Sequence, residues 1–193
     1  MPHDYLVWKY QSVPGACILQ DLDGFEDSFR LGQGERLGET FPADVRFRMN
    51  PDFPNDLLLV DNLENTDLCL VVSAKLREAL EKQKLSHVEY LPVSIINHRG
   101  RVASKDYSIV HPLNPVDCID RDKSVFKESR IIPGRIDRFK KLVVDRARIP
   151  EDRRLFRMKD FSDIAVVRND VAKALDAGAF RGLGWQPLAQ YPR

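Results

Sequence analysis

No run in the 193-residue chain approaches the roughly 20 consecutive apolar residues that a membrane helix needs. The opening residues Met1-Pro2-His3-Asp4-Tyr5 lack the basic-then-apolar order of a secretion signal, so the cytoplasm is the expected compartment. Cysteine is scarce. Cys17, Cys69 and Cys118 are odd in number and far apart, which implies neither a disulfide framework nor a metal ribbon. Cys69, inside Leu68-Cys69-Leu70-Val71-Val72, reads as a buried thiol. Histidine occurs four times, never as a His-x-x-x-His or Glu-x-x-His pair, so zinc ligation has little support.

Catalytic signatures are missing as well. There is no Gly-x-Ser-x-Gly elbow and no Gly-x-x-x-x-Gly-Lys-[Ser/Thr] phosphate loop. Asp21-Leu22-Asp23-Gly24 begins like a calcium loop. Phe25 then stands where an oxygen ligand is needed, and Gly32 where the bidentate glutamate belongs. The aspartates of Asp117-Cys118-Ile119-Asp120-Arg121-Asp122 alternate with cations, which favours local ion pairs and turn capping over metal binding. No catalytic residue, no metal and no cofactor are expected.

What is present is an ordinary globular balance, 43% hydrophobic and 31% charged, on a chain long enough to bury a core without staples. Net charge is +1, unevenly placed: residues 1–70 hold five Lys/Arg against thirteen Asp/Glu, and residues 120–160 hold fourteen against eight. Either the two parts neutralise each other across the surface, or the acidic part faces a basic partner. Nucleic acid is not the expected partner, because the basic stretch 135–148 is broken by Asp137 and Asp145 and the whole chain has no basic excess of note.

Periodicity predicts a mixed α+β fold. Tyr5-Leu6-Val7-Trp8 and the alternating Val45-Arg46-Phe47-Arg48-Met49 read as short strands in a loop-rich N-terminal region. Ser73 is placed to cap a helix whose apolar positions are Ala74, Leu76, Ala79 and Leu80. A hairpin is expected from Val88 to Val110 around Asn97-His98-Arg99-Gly100, with Pro92 marking an edge position or bulge. Val125-Phe126, Ile131-Ile132, Phe139 and Leu142-Val143-Val144 read as further short strands. Leu57–60 and 68–72 fit either a buried strand or the start of a helix.

The strongest organisational signal is an internal echo. A shift of 95 positions aligns 71–93 with 166–188 without a gap. Leu76, Ala79 and Leu80 then meet Val171, Ala174 and Leu175; Leu85 meets Phe180; Tyr90 and Pro92 meet Trp185 and Pro187. Each copy reads as strand, amphipathic helix, turn and outgoing strand, a pair within one domain rather than a solenoid.

Five segments carry a family resemblance: 71–80 with 88–93, then Tyr107-Ser108-Ile109-Val110-His111-Pro112-Leu113, Val116-Asp117-Cys118-Ile119-Asp120-Arg121, and Leu155-Phe156-Arg157-Met158-Lys159. In order and spacing over about 55–190 they resemble the Imm11 group of bacterial immunity proteins. The resemblance implies a non-enzymatic cytoplasmic antidote that binds and neutralises a cognate polymorphic toxin, a nuclease being one candidate. It carries over no catalytic residue. Ser73 fits it as a cap, Tyr90 and Trp185 as packing aromatics, and Phe156 as a core anchor. Two regions are expected on this basis: a loop-rich acidic segment 1–56 packed on the core, and an α+β domain over 57–193.

Partner specificity is expected in the acidic segment, with Asp21, Asp23, Glu26, Asp27, Glu35 and Glu39 as contacts to a basic toxin surface. The alternatives are a scaffold without a toxin partner, or a small hydrolase or damage-reversing enzyme. An enzyme would have to assemble its pocket from His98, His111, Asp117 and Asp120.

Overall fold

A computed structural model describes residues 4–192. Those residues form twelve strands and three α-helices in an α+β arrangement. In chain order the first half contains β1 (Tyr5–Tyr10), β2 (Leu19–Asp23), α1 (Phe29–Gln33), β3 (Arg46–Met49), β4 (Asn62–Leu63), β5 (Leu70–Ser73), α2 (Ala74–Lys82) and β6 (Val88–Ile96). The second half contains β7 (Val102–Pro112), β8 (Val125–Glu128), β9 (Ile136–Lys141), β10 (Leu155–Met158), β11 (Phe161–Arg168), α3 (Asn169–Asp176) and β12 (Leu183–Pro187). They build a six-stranded sheet, β2-β3-β6-β7-β5-β4, a four-stranded sheet, β10-β11-β1-β12, and the two-stranded ribbon β8-β9. No helix among the described residues is long and apolar enough to cross a membrane.

The 95-residue echo recurs as architecture. β5 and β11 end, α2 and α3 begin, and β6 and β12 begin at positions that differ by that same 95 residues. In both copies the two strands of the strand–helix–strand unit lie parallel, with a third strand running antiparallel between them: β7 in the first copy, β1 in the second. A further antiparallel strand lies outside each unit, β4 beside β5 and β10 beside β11. Leu76, Leu80, Val171 and Leu175 meet in one core with Val72 and Val110 of one sheet and Trp8, Val167 and Leu183 of the other. Among the matched apolar helix positions, only Ala79–Ala174 departs from the echo, since Ala174 is exposed while Ala172 is buried.

Alternation places the other face of each sheet on its own core. Val71, Ile109 and Phe47 pack beneath the N-terminal loops. Val7, Phe156 and Val166 pack with Ile136 and Phe139 of the β8-β9 ribbon.

Strands drawn from 1–56 are built into both sheets. β1 lies between β11 and β12, and β3 pairs in parallel with Ser94–96 of β6. A boundary at residue 56 therefore cuts hydrogen-bonded pairs in the six-stranded and the four-stranded sheet. Pro92 shows why position matters: β6 has only β7 beside it at Pro92, because β3 joins from Ser94 onward, and the register shifts just after Val93.

Local composition misread three segments. Ile131-Ile132 is the turn of the ribbon, not a strand, and Ile131 is 89% exposed. Leu142–144 holds only an isolated bridge, Val144 to Ile119, and 57–60 only Leu58 to Ala16. The last two runs meet the core through their side chains rather than through a ladder. Segment 68–72 resolves as strand β5 from Leu70 onward.

Candidate functional site

A concave feature lies where all three sheets come together, a cavity of about 690 Å³. One wall is Ser28-Phe29 and Gly32 of the α1 region; a second is the loop Asp67-Leu68-Cys69 before β5. The floor is the β10-β11 turn, Arg157 to Asp163, and the far side is Ile132 and Arg135 of the ribbon turn. Asn114-Pro115 closes one end.

Three large apolar side chains stand exposed around it: Phe29 at 60%, Leu68 at 52% and Ile132 at 48%. Isolated exposed apolar residues are normal, but three from separate segments lining one depression suit a protein-binding surface.

The walls are held rigidly. Gly34 ends α1 at φ +65, a left-handed cap that favours glycine. An added Cβ there would stand 2.8 Å from Pro115 Cδ, so helix and closing segment meet only through glycine. Leu68 itself has φ +56, a strained conformation for a bulky residue. It persists because the loop is tied on both sides. Asn65 Nδ2 donates to the Cys69 carbonyl at 2.8 Å, and the Cys69 amide donates to Asn65 Oδ1 at 2.9 Å. From the floor, Arg157 Nη2 donates to the Leu68 carbonyl at 2.6 Å. On the far side Arg121 Nη2 reaches both the Gly134 carbonyl at 2.6 Å and Asp160 at 3.0 Å, and Arg135 pairs with Asp163 at 3.1 Å. These contacts fasten the ribbon turn to the β10-β11 turn.

The acidic positions expected from the sequence divide in two. Asp23 is taken by Arg48 at 2.7 Å and Glu35 by Arg30 at 2.8 Å. Asp21, Glu26, Asp27 and Glu39 are exposed and in no ion pair among the described residues. Glu26 and Asp27 directly precede Ser28-Phe29 of the cavity wall. Asp21 lies near enough to Asp67 to help raise its carboxyl pKa, a rise caused first by burial and partly offset by a hydrogen bond from Thr66.

The enzymatic constellation is not assembled. His111, at the β7 end, pairs across the hairpin with the Glu89 position, whereas His98 lies in the turn at the opposite end. Nine strand residues separate those ends, a span of about 30 Å. His111 is buried, with Nε2 2.8 Å from the Glu35 carbonyl, and burial lowers its pKa. His98 is half-buried rather than solvent-exposed, and both of its ring nitrogens lack partners. Asp117 pairs with Arg148 at 2.7 Å and Asp120 with Lys123 at 2.8 Å. No cluster of metal-ligand side chains occurs among the described residues. Cys69 is half-buried on the cavity wall, and burial pushes its thiol up to about 12, far from a nucleophile at neutral pH.

Sequence reasoning missed Phe29, Leu68, Ile132 and Arg157. Two signals were legible: Ile131-Ile132 directly before Pro133-Gly134 places apolar side chains at a turn, and Arg157 is a lone cation between Phe156 and Met158. Of the expected packing roles, Phe156 is fully buried and Trp185 meets Trp8 edge-on at 5.4 Å.

No curated protein matches the chain. The model of the Imm11 immunity protein family matches residues 3–190, so the likeness reaches through β1 to the N-terminal segment, and the chain belongs to that family.

Proposed function

We propose that the protein neutralises a cognate polymorphic toxin in the cytoplasm by binding it through the cavity where the three sheets meet. The observation that carries this reading is the convergence of Phe29, Leu68 and Ile132 on one rigidly held depression. Aromatic and aliphatic anchors of this kind supply most of the affinity of a protein interface, inside a polar rim that excludes water.

The rim is acidic on the α1 side. Asp21, Glu26 and Asp27, with Glu39 further along the same segment, accelerate encounter with a basic toxin surface; Asp23 and Glu35 contribute less, because each is already neutralised. A nuclease fits this rim, since a surface that binds nucleic acid is basic.

The test is co-expression with the toxin-type product of the neighbouring gene, scored by rescue of growth and by co-purification. Protection and a stable complex are expected. Reversing Asp21, Glu26, Asp27 and Glu39 together slows association at least about tenfold at low salt, and less at high salt. An unchanged on-rate sinks the acidic-rim part; rescue without any complex sinks the binding mechanism.

A further inference from the structure

Taking the cavity as the toxin-binding face, we infer that its floor receives a carboxylate: an aspartate or glutamate side chain of the toxin enters and pairs with the guanidinium of Arg157. Arg157 is 6% exposed and lines both the main cavity and an adjoining one of about 290 Å³. Its Nη1 donates to the Ser162 carbonyl and its Nη2 to the Leu68 carbonyl, while Nε is buried without any acceptor. Both acceptors are neutral, and no carboxylate among the described residues lies within ion-pair distance.

The acidic neighbours are otherwise engaged. Asp163 is held by Arg135 at 3.1 Å and Asp160 by Arg121 at 3.0 Å. Asp67, on the same cavity, faces the repulsion of Asp21. Lys159, two residues beyond Arg157, is exposed on the floor and also in no ion pair among the described residues.

A cation taken out of water without a directly paired carboxylate is unfavourable, and burial depresses the Arg157 pKa although Asp163 acts against it. A purely architectural role accounts for the two Nη bonds, which clamp the Leu68 loop and the β10-β11 turn. It accounts for neither the orphaned Nε nor the missing direct ion pair, since Asp163, the nearby carboxylate that acts on Arg157, is paired with Arg135. A carboxylate supplies both, because its two oxygens match the planar fork of a guanidinium. With Met158, Phe161 and Leu68 around it, the site suits an acidic side chain flanked by apolar ones. The acidic rim steers a basic toxin, and Arg157 reads one acidic residue within it, so the complementary surface is dipolar and docks in one orientation.

The test uses the wild-type protein and two small probes of one shape, phenylacetate and its neutral amide. The Nε–H resonance of Arg157 is followed by ¹⁵N NMR during titration of each. Phenylacetate is expected to shift it saturably, binding at least about tenfold tighter than phenylacetamide, with the difference lost in Arg157→Met. Equal affinity of the two probes, or no shift at Arg157, overturns the inference without reference to any variant's folding. In the co-expression assay Arg157→Met loses protection while Arg157→Lys, which keeps a cation, retains part of it; melting curves identify a variant that has merely unfolded. Full protection by a folded Arg157→Met protein overturns the carboxylate anchor and leaves toxin neutralisation standing. Failure of the wild-type protein to protect removes the toxin reading and leaves the probe result intact.

Discussion

Asn62 on β4 is 3% exposed, and its side-chain amide joins the two sheets. Oδ1 accepts from Trp8 Nε1 at 3.0 Å, and Nδ2 donates to the Gly182 carbonyl at 2.8 Å and the Lys9 carbonyl at 3.4 Å. Substituting Asn62→Ala strands a buried indole N–H, at a cost of about 1–3 kcal/mol. Urea denaturation reads this as a lowered midpoint, with both sheets still lost in one transition.

His111 ties the stability of the fold to pH. Burial lowers its pKa from the ordinary 6.5, and the Glu35 carbonyl only partly restores it. Above pH 6.5 neither folded nor unfolded chain holds the proton. Below it the unfolded chain takes the proton first, so stability falls as pH descends from 6.5 toward the lowered native value. His111→Gln keeps a donor for the Glu35 carbonyl and flattens that slope. Urea midpoints at three pH values between 5 and 7.5 check it; an unchanged slope in the variant means another group is responsible.

Among the elements, α2 and α3 start differently although their units correspond. Ser73 accepts from the Leu76 amide at 3.3 Å and also donates to Asp61 at 2.8 Å, so Ser73→Ala costs about 1–2 kcal/mol, measurable by chemical denaturation. At the equivalent position stands Arg168, which makes no such cap. Its guanidinium instead grips Asp170 in the first turn at 2.7 Å, joined by Arg154 at 3.0 Å, and together they hold that carboxyl well below the usual range.

If the cavity is the binding face proposed above, the ribbon turn separates binding from folding. Ile132→Asp lies at a half-exposed position, so stability changes within about 0.5 kcal/mol, while affinity for the toxin falls markedly in a titration of purified partners. Strong binding by this variant would exclude the ribbon from the interface.

Much of this layer could be read in advance, because caps, hairpins and a 95-residue echo are written in short-range pattern: Ser73, Asn97–Gly100 and the alignment of Leu76 and Leu80 with Val171 and Leu175 all carried their structure locally. The cavity could not. Phe29, Leu68, Ile132 and Arg157 belong to four segments brought together only by sheet order, and Leu68 owes its exposure to a loop fastened by Asn65 and Arg157. Composition alone made Ile131-Ile132 a strand, since it cannot tell a turn from a ladder.

For the molecule as a whole, the central fact is that β1 is an interior strand of the four-stranded sheet. A fragment comprising 57–193 lacks the strand between β11 and β12, exposes Val166 and Val167, and is expected not to fold cooperatively; circular dichroism and a melting curve decide it. A sharp transition in that fragment would show that the N-terminal segment is an addition rather than a component. The shared core points the same way, because Trp8 stands in it among residues of both units.

The placement of β1 also bears on how the protein is made. Tyr5 leaves the ribosome about 160 residues ahead of its partner Arg168. At roughly 5–20 residues per second, that strand waits on the order of ten seconds or more for its neighbours. Contacts of such long sequence separation slow folding further. On the proposed function, a nascent chain gives no protection until β11 and β12 have emerged to flank β1, so a reserve of finished molecules acts sooner than fresh synthesis.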